Sequence, residues 1–180
     1  TKKFNTKMMG TMRYNGLIVK KSILIYVYKR LTSQNKLRLD YTFISLLQKK
    51  PCRNISGITS ITVLTSPTPD GQDFSCKHNC YYCPNEPGQP RSYLSKEPAV
   101  QRANRNNFDP CKQMLDRLNT LLMNGHNIDK LEIIIEGGTF TEYPKEYLEI
   151  FICQLIYTTN VYFDDIKRDI KSVEEEIKIN

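Results

Sequence analysis

Apolar positions along the chain gather into short runs, and the spacing within each run predicts an element. Residues 1–20 carry no sustained period and read as loosely ordered. Residues 22–28 and 41–47 are short apolar runs that read as helices, the second ended by Pro51. Residues 58–64 are β-branched and apolar, with Gly57 before them and Ser66-Pro67 after, the pattern of a buried strand. The stretch 65–110 holds seven of the nine prolines and reads as mostly loop. Asp109-Pro110 then pairs an N-cap with proline at the first helical position. Met114, Leu115, Leu118, Leu121 and Leu122 recur at helical spacing until Gly125 stops the helix. Residues 131–135 form a second strand that runs into Gly137-Gly138. Pro144 opens another helix with Leu148, Phe151, Ile152, Leu155 and Ile156 on one face, and residues 164–180 are a charged helical segment.

Strand, long loop, helix, strand, helix is the start of a βα series, so the expected class is α/β. Two strands cannot bury both faces of a parallel sheet. A third strand is expected where the chain stops, which marks a fragment or a truncated relative. No internal repeat and no linker divides the chain.

Length and composition agree with one soluble domain: 180 residues, 39% hydrophobic and 25% charged. The first residue is Thr1 and not Met, which is compatible with a natural start further upstream. No apolar run approaches the ~18 residues of a membrane span. No small-residue cleavage site follows an apolar core, so no export signal is read. Charge alters the picture more. Residues 1–50 hold twelve Lys or Arg against the single acid Asp40, so the remainder of this +7 chain is mildly acidic, about −4. A basic arm of this kind is an electrostatic footprint for a polyanion; a solvated basic tail has the same composition.

Six cysteines, three of them within eight residues, point to metal and a reducing compartment, hence the cytoplasm, rather than a disulfide scaffold. The run Cys76-Lys-His-Asn-Cys80-Tyr-Tyr-Cys83 is C-x3-C-x2-C. Three thiolates so close can hold three irons of a [4Fe–4S] cubane and leave the fourth open. An open iron is where the amino and carboxyl groups of S-adenosylmethionine chelate. Zinc on Cys76, His78, Cys80 and Cys83 is the alternative, against which His78 sits tighter than usual zinc spacing. Tyr82 fits the aromatic beside the adenine in such sites. Gly137-Gly138-Thr139 follows the second strand, where α/β sheets bind ligands, and fits the glycine pair that holds the methionine amino group. Cys52, Cys111 and Cys153 read as small packing residues, and His126 as a capping or packing residue.

Several ordered motifs across residues 50–160 together resemble one family. They are Arg53-Asn-Ile-Ser56-Gly57, Val63-Leu-Thr-Ser-Pro67, Tyr82-Cys83-Pro84, Ser92-Tyr93 and Glu97-Pro98. They continue through Arg102-Ala103, Arg105, Asp109-Pro110, Gly125-His126, Asp129-Lys130 and Ile134-Ile135-Glu136-Gly137-Gly138-Thr139-Phe140. The chain resembles the catalytic subunit of Elongator, the tRNA wobble-uridine carboxymethylation enzyme. The resemblance implies the first two βα units of a radical S-adenosylmethionine domain, a partial TIM-type barrel, over residues 51–180. Residues 1–50 would be a basic, mainly helical segment that binds tRNA. It implies a C-terminal acetyltransferase-like domain that is absent here, acetyl-CoA as co-substrate, and other Elongator subunits as partners. The cluster ligands fall on Cys76, Cys80 and Cys83, and a lysine that contacts acetyl-CoA falls on Lys130. The first cysteine gap is shorter than in many members. The family's Cys-Pro-Gly-Gly is Cys83-Pro84-Asn85-Glu86 here. A chain lacking the later strands and the acetyltransferase domain is expected to be inactive alone.

Overall fold

Strands β1 (Thr59–Leu64) and β2 (Leu131–Glu136) lie side by side and parallel in the computed structural model, which describes residues 2–180. The register is the same at both ends: Thr59 N donates to Lys130 O, and Thr65 N to Glu136 O, each at 2.9 Å. Among the described residues the helices are α1 (Lys2–Tyr14), α2 (Lys21–Ser33), α3 (Tyr41–Leu47), α4 (Pro98–Arg105), α5 (Pro110–Met123), α6 (Lys145–Asn160) and α7 (Val173–Ile179). The α/β class and the strand–loop–helix–strand–helix order therefore stand. None of these helices is long and apolar enough to cross a membrane.

Three stretches differ from the sequence reading. Residues 2–14, expected to be loose, form α1; Thr1 lies outside the described residues. The period there is weak, but Met12 is buried and Phe4 meets Phe43 edge-on at 6.0 Å, so packing overrides a poor local signal. Within the proline-rich stretch, α4 begins with Pro98 at its first turn. It carries Val100 and Ala103, both fully buried, against Leu64. Of residues 164–180 only Val173–Ile179 is helical, started by a capping box in which Ser172 and Glu175 bond each other's backbone N–H.

The chain divides into two compact units. One comprises Thr1–Thr59 with Leu118–Leu131; the other comprises Ser60–Arg117 with Glu132–Asn180. In the first, Ile25 and Leu47 are buried together with Leu118 and Leu121. Gly125 ends α5 with φ of +82°, and a side chain there would meet Ile25 Cδ1 at 3.2 Å and Ile44 Cγ2 at 3.4 Å. The basic segment is thus packed and not a free tail. His126, buried, approaches Asn54 Oδ1 at 2.7 Å and Gln48 Nε2 at 3.1 Å through Nδ1.

In the second unit β1 is buried on Ile61, Val63 and Leu64, and α6 adds Phe151 and Leu155. Leu148, Ile152 and Ile156 are half-buried on α6, the face its period predicts. On α5, Leu115 points outward and Gln113 is buried instead. The reason is a backbone need: Gln113 Oε1 accepts from Leu64 N and its Nε2 donates to Leu64 O, both at 2.9 Å. A side-chain amide there supplies what a neighbouring strand would.

Candidate cofactor site at the carboxyl ends of the strands

The second unit brings the cysteine loop onto the end of β2. Thr139 N donates to Ser75 O at 3.0 Å, and Cys76 Sγ lies 2.9 Å from Thr139 Oγ1. Lys77 pairs with Glu142 at 3.0 Å, and Gln72 Nε2 donates to Glu142 O. On the return side, Arg91 N donates to Ser75 Oγ at 2.6 Å and its guanidinium to Asn79 Oδ1 at 2.5 Å. Ser92 N donates to Pro84 O. The loop is therefore held at both ends, while Cys80, Tyr81 and Tyr82 project into solvent, Tyr82 with 88% of its surface exposed.

Close contacts leave no room for a side chain at either glycine after β2, Gly138 facing the loop and Gly137 facing Thr65 and Tyr143. A Cβ on Gly138 would lie 1.9 Å from Ser75 O and 2.5 Å from Ser75 C; a Cβ on Gly137 would lie 1.9 Å from Thr65 Oγ1. The room a side chain would take is thus filled by the protein's own loop and by a hydroxyl brace. In that brace Tyr143 Oη lies 2.6 Å from Thr65 Oγ1 and accepts from Gly138 N at 2.7 Å, while Tyr147 Oη accepts from Ser66 N at 2.8 Å. Burial pushes the Tyr147 phenol up to about 12, so it stays neutral throughout the working range.

The Thr139 hydroxyl, and then the His78 backbone, hold the Cys76 thiol below its ordinary value, which favours the thiolate that binds metal. Burial, followed by the nearby Glu97, pushes the Glu136 carboxyl up. Burial, followed by Glu136, raises the Tyr93 phenol. Tyr93, Glu97 and Glu136 thus form a cluster beside Gly137. The motifs named them, but spacing assigned them no role; Glu136 lies about forty residues from Tyr93 and Glu97, which hides the cluster from any local pattern.

The sequence-predicted residues fall into three groups. Cys76, Gly137, Gly138 and Thr139 come together. Cys80, Cys83 and Tyr82 sit on the same loop without reaching them, and among the described residues no three Cys, His, Asp or Glu side chains form a metal-holding group. Lys130, in the first unit, is exposed before β2 with its carbonyl engaged by Thr59 N. Cys153 is buried and Cys111 half-buried, as expected for packing residues, whereas Cys52 is exposed.

The cysteine loop carries the donor types of a thiolate-held cluster, though its thiols are not gathered into one group. Three thiols stand within one anchored loop. Beside Cys76, a cleft of about 240 Å³ is lined by Ser75, Glu86, Gly88 and Arg91, and Arg91 Nε has no hydrogen-bond partner.

No family model matches the chain. A tRNA uridine(34) acetyltransferase of Methanocaldococcus infernus is 39% identical over 143 residues, covering 76% of this chain and 24% of that protein. Elongator complex protein 3 of Saccharomyces cerevisiae is 36% identical over 159 residues, 81% of this chain and 28% of that protein. The human Elongator complex protein 3 is 34% identical over 143 residues, 74% and 26% respectively. The chain spans about a quarter of the length of the curated relatives it matches.

Proposed function

We propose, for a chain that belongs to the family of tRNA uridine(34) acetyltransferases and Elongator catalytic subunits, that it is the opening part of a radical S-adenosylmethionine domain acting on tRNA wobble uridine. Its two parallel strands are the first strands of a partial barrel. Cys76, Cys80 and Cys83 ligate a [4Fe–4S] cluster. When bound, that cluster supplies the electron for reductive cleavage of S-adenosylmethionine. The chain's own residues hold and orient. Thr139 keeps Cys76 at the strand end, Gly138 lets the cysteine loop close down on β2, Gly137 leaves room for the Thr65–Tyr143 hydroxyl brace, the Arg91 guanidinium lines the cleft for a carboxylate, and Tyr82 packs against adenine. Lys130 serves acetyl-CoA, the acyl source for C5 carboxymethylation. Residues 1–50 bind the tRNA, residues 51–180 belong to the radical domain, and other Elongator subunits assemble around the whole protein in the cytoplasm.

The observation that carries this reading is the 2.9 Å contact of Cys76 Sγ with Thr139 Oγ1, which joins the cysteine loop to the glycine pair at the carboxyl ends of parallel strands. The test is anaerobic reconstitution. The expected result is about four irons per chain with the spectrum of a site-differentiated cubane. Cys76→Ala, Cys80→Ala or Cys83→Ala should each abolish uptake, while Cys52→Ala, Cys111→Ala and Cys153→Ala should not. Stoichiometric zinc with no iron uptake would replace this reading by a zinc-holding, RNA-binding module.

A further inference from the structure

The first unit contains a concave surface whose chemistry suits one ligand class. Tyr28, Leu37, Arg38, Leu39, Tyr41 and Phe43 line a cleft of about 770 Å³ at the elbow of α2 and α3, within the range of small-ligand sites. A second cleft, which adds Lys29 and Asn35, shares Leu37, Arg38, Leu39 and Tyr41 with it. Tyr41 is 76% exposed at the start of α3, and Leu37 and Leu39 are nearly half exposed beside it.

The elbow is held open by its own bonds. Tyr28 Oη donates to Arg38 O and accepts from Asp40 N, each at 2.8 Å. Its ring packs on Phe43 with centroids 4.8 Å apart. Asp40, the single acid in residues 1–50, turns its carboxylate to Thr42 N at 2.8 Å and Phe43 N at 3.4 Å as the N-cap of α3. The negative charge nearest the cleft is therefore engaged by backbone N–H groups, and the cleft faces outward with Lys29, Arg38 and an unstacked aromatic.

We propose that this elbow receives an unpaired nucleotide of RNA, its base stacked on Tyr41 and its phosphates met by Arg38 and Lys29. A duplex satisfies its bases internally and offers no free π-face; single-stranded segments do. The proposal rests on the reading of residues 1–50 as an RNA-binding segment and places within it the contact that distinguishes loop from helix.

The test compares the full chain and its variants on two probes: an RNA stem–loop and a blunt RNA duplex with the same number of phosphates, each titrated over salt. Tyr41→Ala should weaken stem–loop binding about tenfold or more and leave duplex binding within about twofold. Arg38→Gln should weaken both and lower the salt slope by about one. A Lys2→Gln, Lys3→Gln, Lys7→Gln variant alters exposed positions on α1 that line neither cleft, and reports on the arm as a whole. If Tyr41→Ala leaves both affinities at wild-type values while the triple variant weakens both, the elbow proposal is overturned and the arm's RNA reading stands. That is also the outcome for an elbow that covers a protein partner. If the triple variant and Arg38→Gln both keep wild-type affinity and slope, the RNA reading of residues 1–50 falls with the proposal.

Discussion

Gly138→Val should unlatch the cysteine loop from the strand end. The valine Cβ would stand 1.9 Å from Ser75 O, which is backbone and cannot rotate aside. Overpacking of this kind costs about 3 kcal/mol when the surroundings cannot relax. Here the cheapest relaxation is to move residues 75 and 76, which breaks the Thr139 N–Ser75 O bond and the Cys76–Thr139 contact. The expected result is a lower melting temperature together with a Cys76 thiol that reacts faster with an alkylating reagent. Iron uptake should fall as well. Gly137→Ala should be milder, because its first obstacle is the Thr65 hydroxyl, a side-chain atom that can turn away. A Gly138→Val chain that melts and alkylates like wild type would show that the loop does not rest on β2 as described.

Acid should release α7 from α6. Glu176 is wholly buried and receives Arg168 through two contacts of 2.6 Å, Lys171 N at 3.0 Å and Asn160 Nδ2 at 2.9 Å. The Arg168 guanidinium, aided by these other donors, holds its carboxyl down at about 2 from an ordinary value of 4.5. A depressed folded-state value means the carboxylate's contribution is complete above about pH 4.5 and is lost as the pH falls toward 2. Glu176→Gln should remove it at every pH, costing about 2–3 kcal/mol, less than a fully buried pair because Arg168 is partly exposed. Melting should drop by roughly 5–10 °C at neutral pH, and the gap between variant and wild type should close on acidification. A gap that stays constant from pH 7 to pH 2.5 would show that the ion pair carries no stability. Amide exchange should locate the first opening in residues 173–179.

Why these two sites differ in legibility is physical. The glycine pair and the cysteine loop could be assigned to one edge from the chain alone, because parallel strands joined by a helix must begin and end on the same sides. β1, α5 and β2 were equally plain, since β-branched runs, an Asp-Pro start and a Gly stop are local signals. The residues that make the site tight were hidden. Tyr143 and Tyr147 flank the start of α6, and nothing local says that their hydroxyls reach back to Thr65, Gly138 and Ser66. Arg168 and Glu176 lie eight residues apart across an irregular segment and a helix cap, a spacing that belongs to no regular element. α1 went unread because its stability comes from Phe4 and Met12 meeting other parts of the chain, and α4 because prolines that signal a helix start also signal loops.

The exposed tip of the cysteine loop also sets how the protein meets oxygen. Burial raises the Cys111 and Cys153 thiols, which keeps them protonated and slow to oxidise. Cys80 stands in solvent with Cys83 three residues on, so a sulfenic acid formed on Cys80 has a resolving thiol at hand. Air should therefore act on this chain first at the tip and at exposed Cys52, and the damage is of the kind a dithiol reductant reverses. Mass mapping after brief aeration should find Cys80 and Cys52 modified while Cys153 remains a free thiol.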